Sequence, residues 1–195
     1  LGASPVVSAA IARLRAWDFS TPTGIPEGYD ASDVGGKLSA PTQAEIDASV
    51  AATIYAFFRS RLIANTVDAV LGQFPVSAPL PDSGRTLVAL RNLLDNYATG
   101  KGIGASGVPF FNTPGVTATQ EQRRDIILLK SLADGIALAS SDTFAAAFGK
   151  STNLSDYRWG KLHRIVFAHP LGEPFSTPPA NGRFPAPLAG LTGIP

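Results

Sequence analysis

Apolar residues recur three or four positions apart in five parts of the chain, and stretches rich in glycine and proline separate these parts. Side chains at this spacing share one face of an α-helix, so the pattern predicts amphipathic helices. The predicted helices cover residues 4–17, 42–72, 82–97, 117–139 and 141–149. A mainly α-helical fold follows from this pattern.

The second predicted helix carries a start signal and a stop signal. Thr42 and Glu45 form a T-x-x-E capping box, in which each side chain binds the backbone N–H of the other residue. Its apolar residues then follow one face for four turns, which predicts that this face is buried. We expect the helix to bend or break near Asn65 and Thr66 and to end at Gly72, because glycine is favoured just beyond a helix C-terminus.

The third and fourth predicted helices are recognised by their caps and their faces. Asp82 or Ser83 can cap the third helix, since short polar side chains accept hydrogen bonds from the free N–H groups of a first turn. In the fourth helix, apolar residues form one stripe with charges opposite, and we expect the stripe to face the core. Its members are Ile126, Leu129, Ala133 and Ile136.

Residues 162–167 have a different pattern, because their side chains alternate between two differently lined faces. This period of two predicts a β-strand, which Pro170 would end because proline has no backbone N–H. We expect Trp159 and His163 to be buried supports of the strand, with a His163 ring nitrogen donating to a backbone carbonyl or a carboxylate. A short strand region near residues 161–169 makes the predicted fold class α+β.

Four stretches lack any helical or strand period: residues 19–40, 73–84, 98–116 and 170–195. Long irregular stretches of this kind lie over a surface and carry few apolar contacts of their own. We therefore expect their large aromatic residues to pack on partner chains. These residues are Phe110, Phe111, Phe175 and Phe184.

Composition narrows the classes of partner. The chain has 16 Lys and Arg against 15 Asp and Glu, a net charge of +1, and no segment that concentrates the basic residues. We expect neither nucleic acid nor a membrane as a partner, because both attract clustered positive charge. Cysteine and methionine are absent, and no signal peptide pattern opens the sequence. We expect the chain to be a processed piece or a fragment.

Two motifs raise the question of a cofactor, a metal or a catalytic site. "GIGASG" (102–107) matches the G-x-G-x-x-G pattern, but no predicted strand precedes it and proline follows it, so we interpret it as a flexible loop. His163 and His169 lie six residues apart without acidic residues between them, a spacing that predicts no metal site. We interpret both as structural groups and expect no cofactor. Since a Ser-His-Asp arrangement needs no sequence proximity, it stays open.

"DYRWGKLHRIVFAHPLG" (156–172) closely resembles the W-G-x-L-H-x-x-x-x-x-H-P-L-G stretch in the β chain of the penicillin acylase (penicillin amidase) family. Three upstream segments resemble the helical part of the same β chain in order. They are "ARLRAWD" (12–18), "AATIYAFFRSRL" (51–62) and "SLADGIALASSDTFAAAFG" (131–149). The resemblance spans about residues 10–172, and its structural motif comprises Trp159, Gly160, His163, His169 and Pro170.

The resemblance implies an amide hydrolase of the N-terminal nucleophile class, with an αββα fold larger than this chain. In that family a precursor cuts itself, and the new N-terminal serine, threonine or cysteine of the β chain attacks the amide carbonyl. Leu1 cannot take that role, so the resemblance implies a scaffold piece with no catalytic residue, inactive alone. Its substrate-binding residues are unknown, its substrate would be a β-lactam, an acyl-homoserine lactone or a related N-acyl compound, and its location would be periplasmic or secreted.

The same resemblance implies that residues 1–195 are a single segment of a multi-chain enzyme and that the partners are other chains of the same precursor. Within the segment we expect a helical part (1–150), a strand-containing motif (151–172) and a proline-rich irregular tail (173–195). A helical interaction module without catalysis would show the same stripes and loops, and it remains the alternative.

Overall fold

A computed structural model of the chain describes residues 4–26, 40–74, 81–112, 117–163 and 170–171. Its α-helices are α1 (Pro5–Ala16), α2 (Gln43–Ile63), α3 (Ala69–Leu71), α4 (Ser83–Asp95), α5 (Tyr97–Gly100), α6 (Gln120–Ala139) and α7 (Ala145–Phe148). A π-helical turn (Ala64–Asp68) joins α2 to α3, and 3₁₀-helices cover Asp142–Phe144, Leu154–Asp156 and Trp159–Lys161. The prediction of a mainly helical fold is confirmed.

The predicted strand is wrong where the described residues test it. Trp159–Lys161 is a 3₁₀-helix, and Leu162 follows it with right-handed helical dihedral angles. The N–H groups of Leu162 and His163 both donate to the carbonyl oxygen of Trp159, each at 2.9 Å. This local turn satisfies the amides that a strand would have paired with a neighbour. Residues 164–169, with His169, lie outside the described part of the chain.

The N-terminus of α2 forms the predicted capping box. The Thr42 N–H donates to the Glu45 carboxylate at 2.6 Å, and the Glu45 N–H donates to the Thr42 hydroxyl at 3.3 Å. The predicted irregularity at residues 65–66 is a π-helical turn rather than a break, and the Thr66 hydroxyl donates to the Leu62 carbonyl at 2.6 Å inside it. The helical path continues through α3 to Gly72, as expected.

Two further starts are set by side-chain caps. Of the two candidates for α4, Asp82 is the cap, since its carboxylate accepts from the Arg85 N–H at 2.9 Å. The next long helix, α6, begins at Gln120 rather than at residue 117, because Thr119 and Gln122 form a second capping box there. A short polar side chain in the right backbone conformation therefore decides both boundaries.

The face that α6 presents to α2 differs from the predicted stripe. Ile136 is buried as expected, but Ala133 is exposed, and Ile126 and Leu129 are only partly buried. The residues that lie inward include Ser131, Gly135 and Ala139, spaced four apart. A Cβ at Gly135 would lie 3.0 Å from the backbone of residues 57 and 58 on α2. Small residues let the two backbones approach closely, so the small residues, and not the bulkier predicted stripe, form the face that contacts α2.

The main core lies between α1, α2, α6 and the segment that follows α6. Phe57 of α2 is at its centre, with the Phe144 ring in edge contact at 4.7 Å and the Phe148 ring at 6.1 Å. Tyr157 is buried beside Phe148, and its hydroxyl donates to the Ser151 carbonyl at 2.7 Å. This packing fixes the turn that leads into Trp159–Lys161.

A second core cluster buries a residue that was expected on a partner. Phe111 is buried and meets the Tyr97 ring edge-on at 5.3 Å, next to Leu62 and Leu90. Phe110 is partly buried against the same cluster. The expectation that these rings pack on other chains is therefore wrong for this pair, because α4, α5 and α6 already enclose them. Phe175 and Phe184 lie outside the described residues.

Candidate functional site

The tryptophan-glycine turn is fixed to α2 by one buried hydroxyl. Ser49 Oγ accepts a hydrogen bond from the Trp159 backbone N–H at 2.7 Å and donates to the Thr23 carbonyl at 2.8 Å. Its side chain is fully buried. Because Thr23 and Trp159 belong to segments remote in sequence, a single side chain joins three parts of the chain.

Two glycines allow these segments to meet. The Gly160 N–H donates to the Thr23 carbonyl at 2.7 Å, and a Cβ at Gly160 would lie 2.8 Å from the side chain of Ile25. Gly24 has φ +64° and would direct a Cβ into Ser49. Glycine has no side chain to clash at either position, and it adopts the left-handed conformation that Gly24 requires.

Arg158 reinforces the same contact. Its guanidinium donates to the Gly24 carbonyl at 3.2 Å and to the Ser155 carbonyl at 2.7 Å. Residues 23–25 are therefore held against the tryptophan-glycine turn by side-chain as well as backbone hydrogen bonds.

The two aromatic members of the predicted motif differ in burial. Trp159 is buried, as expected, on Ala52 and Ala56 of α2. His163 is exposed, which corrects the prediction of a buried group, and its ring stacks on the Trp159 indole at 5.2 Å with 20° between the planes. Among the described residues this stack replaces the predicted hydrogen bond, because the ring faces solvent that can hydrate its nitrogens.

Pro170 is the last member of the predicted motif in the described part, and it is exposed in a turn with Leu171. Of the five motif residues, the structure therefore brings Trp159, Gly160 and His163 together in one turn. His169 was also predicted to belong to the motif, but it lies outside the described residues.

A tight turn beside the motif displays a second set of aromatic rings. Trp17 Nε1 donates to the Ser20 carbonyl at 2.7 Å, and Asp18 accepts from the Ser20 N–H at 2.9 Å and from its hydroxyl at 2.6 Å. These hydrogen bonds hold the pKa of Asp18 below its usual value. The Trp17 ring lies 5.2 Å from the Phe19 ring and 5.5 Å from the Tyr55 ring. We refer to Trp17, Phe19 and Tyr55 as the aromatic face.

A polar cluster ties the π-helical turn to α6. Asn65 Nδ2 donates to Ser131 Oγ at 3.1 Å and to Asp134 Oδ2 at 3.0 Å, and its carbonyl oxygen accepts from Lys130 at 3.3 Å. Lys130 also pairs with Asp134. Burial opposes ionisation of Asp134, but the hydrogen bonds from Lys130 and Asn65 outweigh it, so its pKa lies below the usual value.

The described ranges contain neither a dinucleotide-binding loop, nor a metal site, nor a membrane-spanning helix. "GIGASG" is a hairpin loop closed by the bond from the Gly104 N–H to the Val108 carbonyl at 2.9 Å, and no helix begins at it. In the same ranges no group of three His, Asp or Glu side chains could hold a metal ion. No described helix is long and apolar enough to cross a membrane.

Sequence reasoning missed Ser49, Thr23 and Gly24, which hold the motif in place. The sequence offers only a weak indication of the role of Ser49. This residue lies in a run of small and apolar residues on α2, and a hydroxyl buried there needs a hydrogen-bond partner. The partner could not be named, because it is supplied by residues of other segments.

Comparison with known proteins supplies the family. The penicillin amidase family matches residues 3–194, nearly the whole chain. No curated protein and no solved structure shows a significant match. The matched range contains α1 to α7 and the tryptophan-glycine turn that Ser49 anchors. The chain therefore belongs to the penicillin amidase family.

Proposed function

We propose that this chain is a scaffold part of an amide hydrolase that removes the acyl group from a β-lactam, an acyl-homoserine lactone or a related N-acyl compound. The observation that supports it is the family match across residues 3–194. The family match supports hydrolysis, because that is the chemistry of this family. The identity of the acyl group and of the N-acyl substrate is proposed in addition.

The hydrogen bonds of the buried hydroxyls support a scaffold role. Four of the five buried serine and threonine hydroxyls in the described ranges donate their protons to backbone carbonyls, so none of these four is poised to lose its proton to a general base. The donors are Ser49, Thr53, Thr66 and Ser131. The contact that His163 makes in the described part of the chain is a ring stack on the Trp159 indole, and not a hydrogen bond to a hydroxyl. The nucleophile and its base would then come from another part of the precursor.

The proposal includes partners and a location. The other chains of the same processed precursor would complete the enzyme and bind the N-acyl substrate. As in the family resemblance, the enzyme would act in the periplasm or outside the cell.

The test uses the full-length gene product that contains this sequence. After purification, intact mass spectrometry should detect this chain with a second chain that begins with Ser, Thr or Cys. The mature protein should hydrolyse a chromogenic phenylacetyl or fatty-acyl amide. Alanine in place of the new N-terminal residue should abolish turnover, while His163→Ala should retain most of it.

Three results would count against the proposal. One is a gene product without further chains, and another is a mature protein that hydrolyses none of these amides. The third is a His163→Ala variant that melts normally but loses orders of magnitude in rate, since that would give the motif a chemical role.

A further inference from the structure

We propose that α4, α5 and the hairpin loop that follows them form a flap, residues 81–112, which opens as one unit from α2 and α6 while the main core stays closed. This motion is independent of the proposed function, since it needs only the described residues. Three features indicate it: the separation of the two cores, the one-sided burial of α4, and the bonds that join α4, α5 and the hairpin to one another.

The first feature is that the flap belongs to the second core cluster and not to the main core. In the described part of the chain, the main core contains no residue of the flap, whereas the flap supplies three of the five buried residues of the second cluster. These three are Leu90, Tyr97 and Phe111, and α2 and α6 supply Leu62 and Ile127. Among the described side chains, Phe58 of α2 is the one that packs against both cores. Parts of a protein open separately where few buried contacts join them, so the flap can open and leave the main core intact.

The second feature is that α4 is buried on one side only. Thr86 and Leu90 are buried and lie one turn apart. Val88 is 60% exposed, because at about 100° per residue it lies on the other side of the helix from both. In α2, by contrast, seven consecutive residues are buried, 48–54. When α4 leaves the rest of the chain, it therefore gives up much less buried surface than α2 would.

The third feature is that α4, α5 and the hairpin are bonded to one another. The Asn96 N–H, between the two helices, donates to the Asn92 carbonyl of α4 at 3.1 Å. The hairpin lies against the Tyr97 ring of α5, because a Cβ at Gly102 would be 2.8 Å from that ring and 2.6 Å from the Phe111 ring. The Phe111 ring in turn meets the Tyr97 ring edge-on at 5.3 Å. These contacts stay within the flap, so we expect its three parts to move together.

Tyr97 also attaches the flap to the start of α6. Its hydroxyl donates to the Gln120 carbonyl at 2.5 Å, and the Arg124 guanidinium lies over its ring, 5.1 Å from the centroid. The residues that α2 and α6 place against the flap, Leu62 and Ile127, are each 3% exposed. Opening would bring both into contact with water. Because burial of such side chains favours the closed form, the open form is a minor population.

The test is native-state hydrogen exchange of the mature full-length gene product, read by mass spectrometry of its peptides. We expect the amides of α4, α5 and the hairpin to share one level of protection, at least about tenfold below that of residues 50–57 in α2. Protection of the flap equal to that of residues 50–57 would overturn the inference, since the flap would then open only when the whole chain unfolds.

Tyr97→Phe tests whether the flap opens as a unit, because it removes only the hydroxyl that binds the Gln120 carbonyl. We expect protection to fall by one common factor, about three- to tenfold, in α4, α5 and the hairpin, and to stay unchanged in residues 50–57. The matched control is Thr99→Val, because the Thr99 hydroxyl is exposed and donates within the flap, to the Asn96 carbonyl at 3.3 Å. Its protection should stay within about twofold of the parent protein.

Two results of this comparison would overturn the inference. One is a Tyr97→Phe effect confined to α5, which would show that α4 and the hairpin open separately. The other is an equal effect on residues 50–57, which would show that flap and main core open together. Phe111→Leu gives the same comparison should Tyr97→Phe fail to mature, since it weakens the ring contact between the hairpin and α5.

Discussion

At the residue scale, Ser49 joins the segment around Thr23 to the turn at Trp159. Its hydroxyl is both acceptor and donor, and no solvent reaches it. A buried amide that loses its acceptor costs more than an average hydrogen bond contributes, since it is then neither paired nor hydrated.

Ser49→Ala tests this contact. We expect the free energy of unfolding to fall by about 1–3 kcal/mol, because the Trp159 N–H loses its acceptor. Urea denaturation followed by tryptophan fluorescence measures the change. Ser8→Ala on the exposed side of α1 is the control and should stay within about 0.5 kcal/mol of the parent protein. Equal effects of the two substitutions would show that the hydroxyl is not needed.

Trp159 and His163 should respond differently to truncation. Trp159→Ala removes a buried indole and should cost about 3–5 kcal/mol, whereas His163→Ala removes an exposed ring stacked on that indole and should cost at most about 1.5 kcal/mol. Thermal unfolding of both variants gives the comparison. A cost for His163→Ala as large as that for Trp159→Ala would restore the view of His163 as a buried support.

These residues also show what sequence can reveal at this scale. Burial of Trp159 was predictable, because a large indole beside glycine in a recognised motif has few other roles. The exposure of His163 was not, since imidazole is common both inside and outside proteins. Ser49 was missed because its partners depend on the three-dimensional path of two other segments.

At the element scale, contact between α2 and α6 depends on Gly135. Gly135→Ala would place a methyl group 3.0 Å from the backbone of α2. The helices must move apart, at a cost of about 1–3 kcal/mol that exceeds the gain of up to about 1 kcal/mol in helix propensity. Gly100→Ala is the matched control, because the nearest atom to its Cβ, in Asn96, is 3.9 Å away. Urea midpoints that fall only for Gly135→Ala support the close packing, and an unchanged midpoint would contradict it.

The Asp134 cluster predicts a dependence of stability on pH. The folded state lowers the pKa of Asp134 below 3.8, so this group stabilises the fold at pH values above about 4 and loses that effect as pH falls through the folded-state pKa. Asp134→Asn should therefore lose less stability than the parent protein between about pH 5 and pH 3. Urea midpoints at both pH values check this, and Asp95→Asn controls for the loss of one exposed carboxylate. Parallel losses in all three proteins would rule out the cluster as the cause.

Helix boundaries and helix faces differ in how far they follow from sequence. The capping box of Thr42 and Glu45 located the start of α2, since both members lie within four residues of each other. The buried side of α6 was misassigned because Ser131 and Gly135 are inward only in contact with α2, and no local pattern reports that neighbour. The prediction of a strand from residue 162 was wrong for a related reason. The side chains alternate in the sequence, but the N–H groups of Leu162 and His163 donate to the Trp159 carbonyl within a local turn.

At the scale of the whole molecule, the division between scaffold and chemistry predicts an inactive chain. Residues 1–195 alone should show no turnover of a phenylacetyl or fatty-acyl amide, since under the proposed function the nucleophile and its base lie elsewhere. The assay compares this chain with the processed full-length product at equal concentration. Turnover by the chain alone that disappears when one of its serines, threonines or histidines is changed would refute the division.

The family followed from one motif and three helical segments, but the position of the catalytic centre relative to this chain did not. A motif such as Trp159-Gly160 is recognisable because its residues are contiguous. A catalytic centre is built from residues that need not be near one another in sequence, so it leaves no contiguous trace, and the substrate-binding residues could not be identified from this sequence.

The π-helical turn at residues 64–68 sets the direction in which the side chains of the following helix, α3, point. One extra residue per turn rotates the downstream helix by about 100° relative to an uninterrupted α-helix. Deletion of a single residue there would preserve the helix, yet Val67 and Val70, both buried, would swing away from the core, and the chain would leave Gly72 in another direction. The inserted residue thus decides which side chains of the following helical turn face the core, and length variation at this point should be far less tolerated than in an exposed loop.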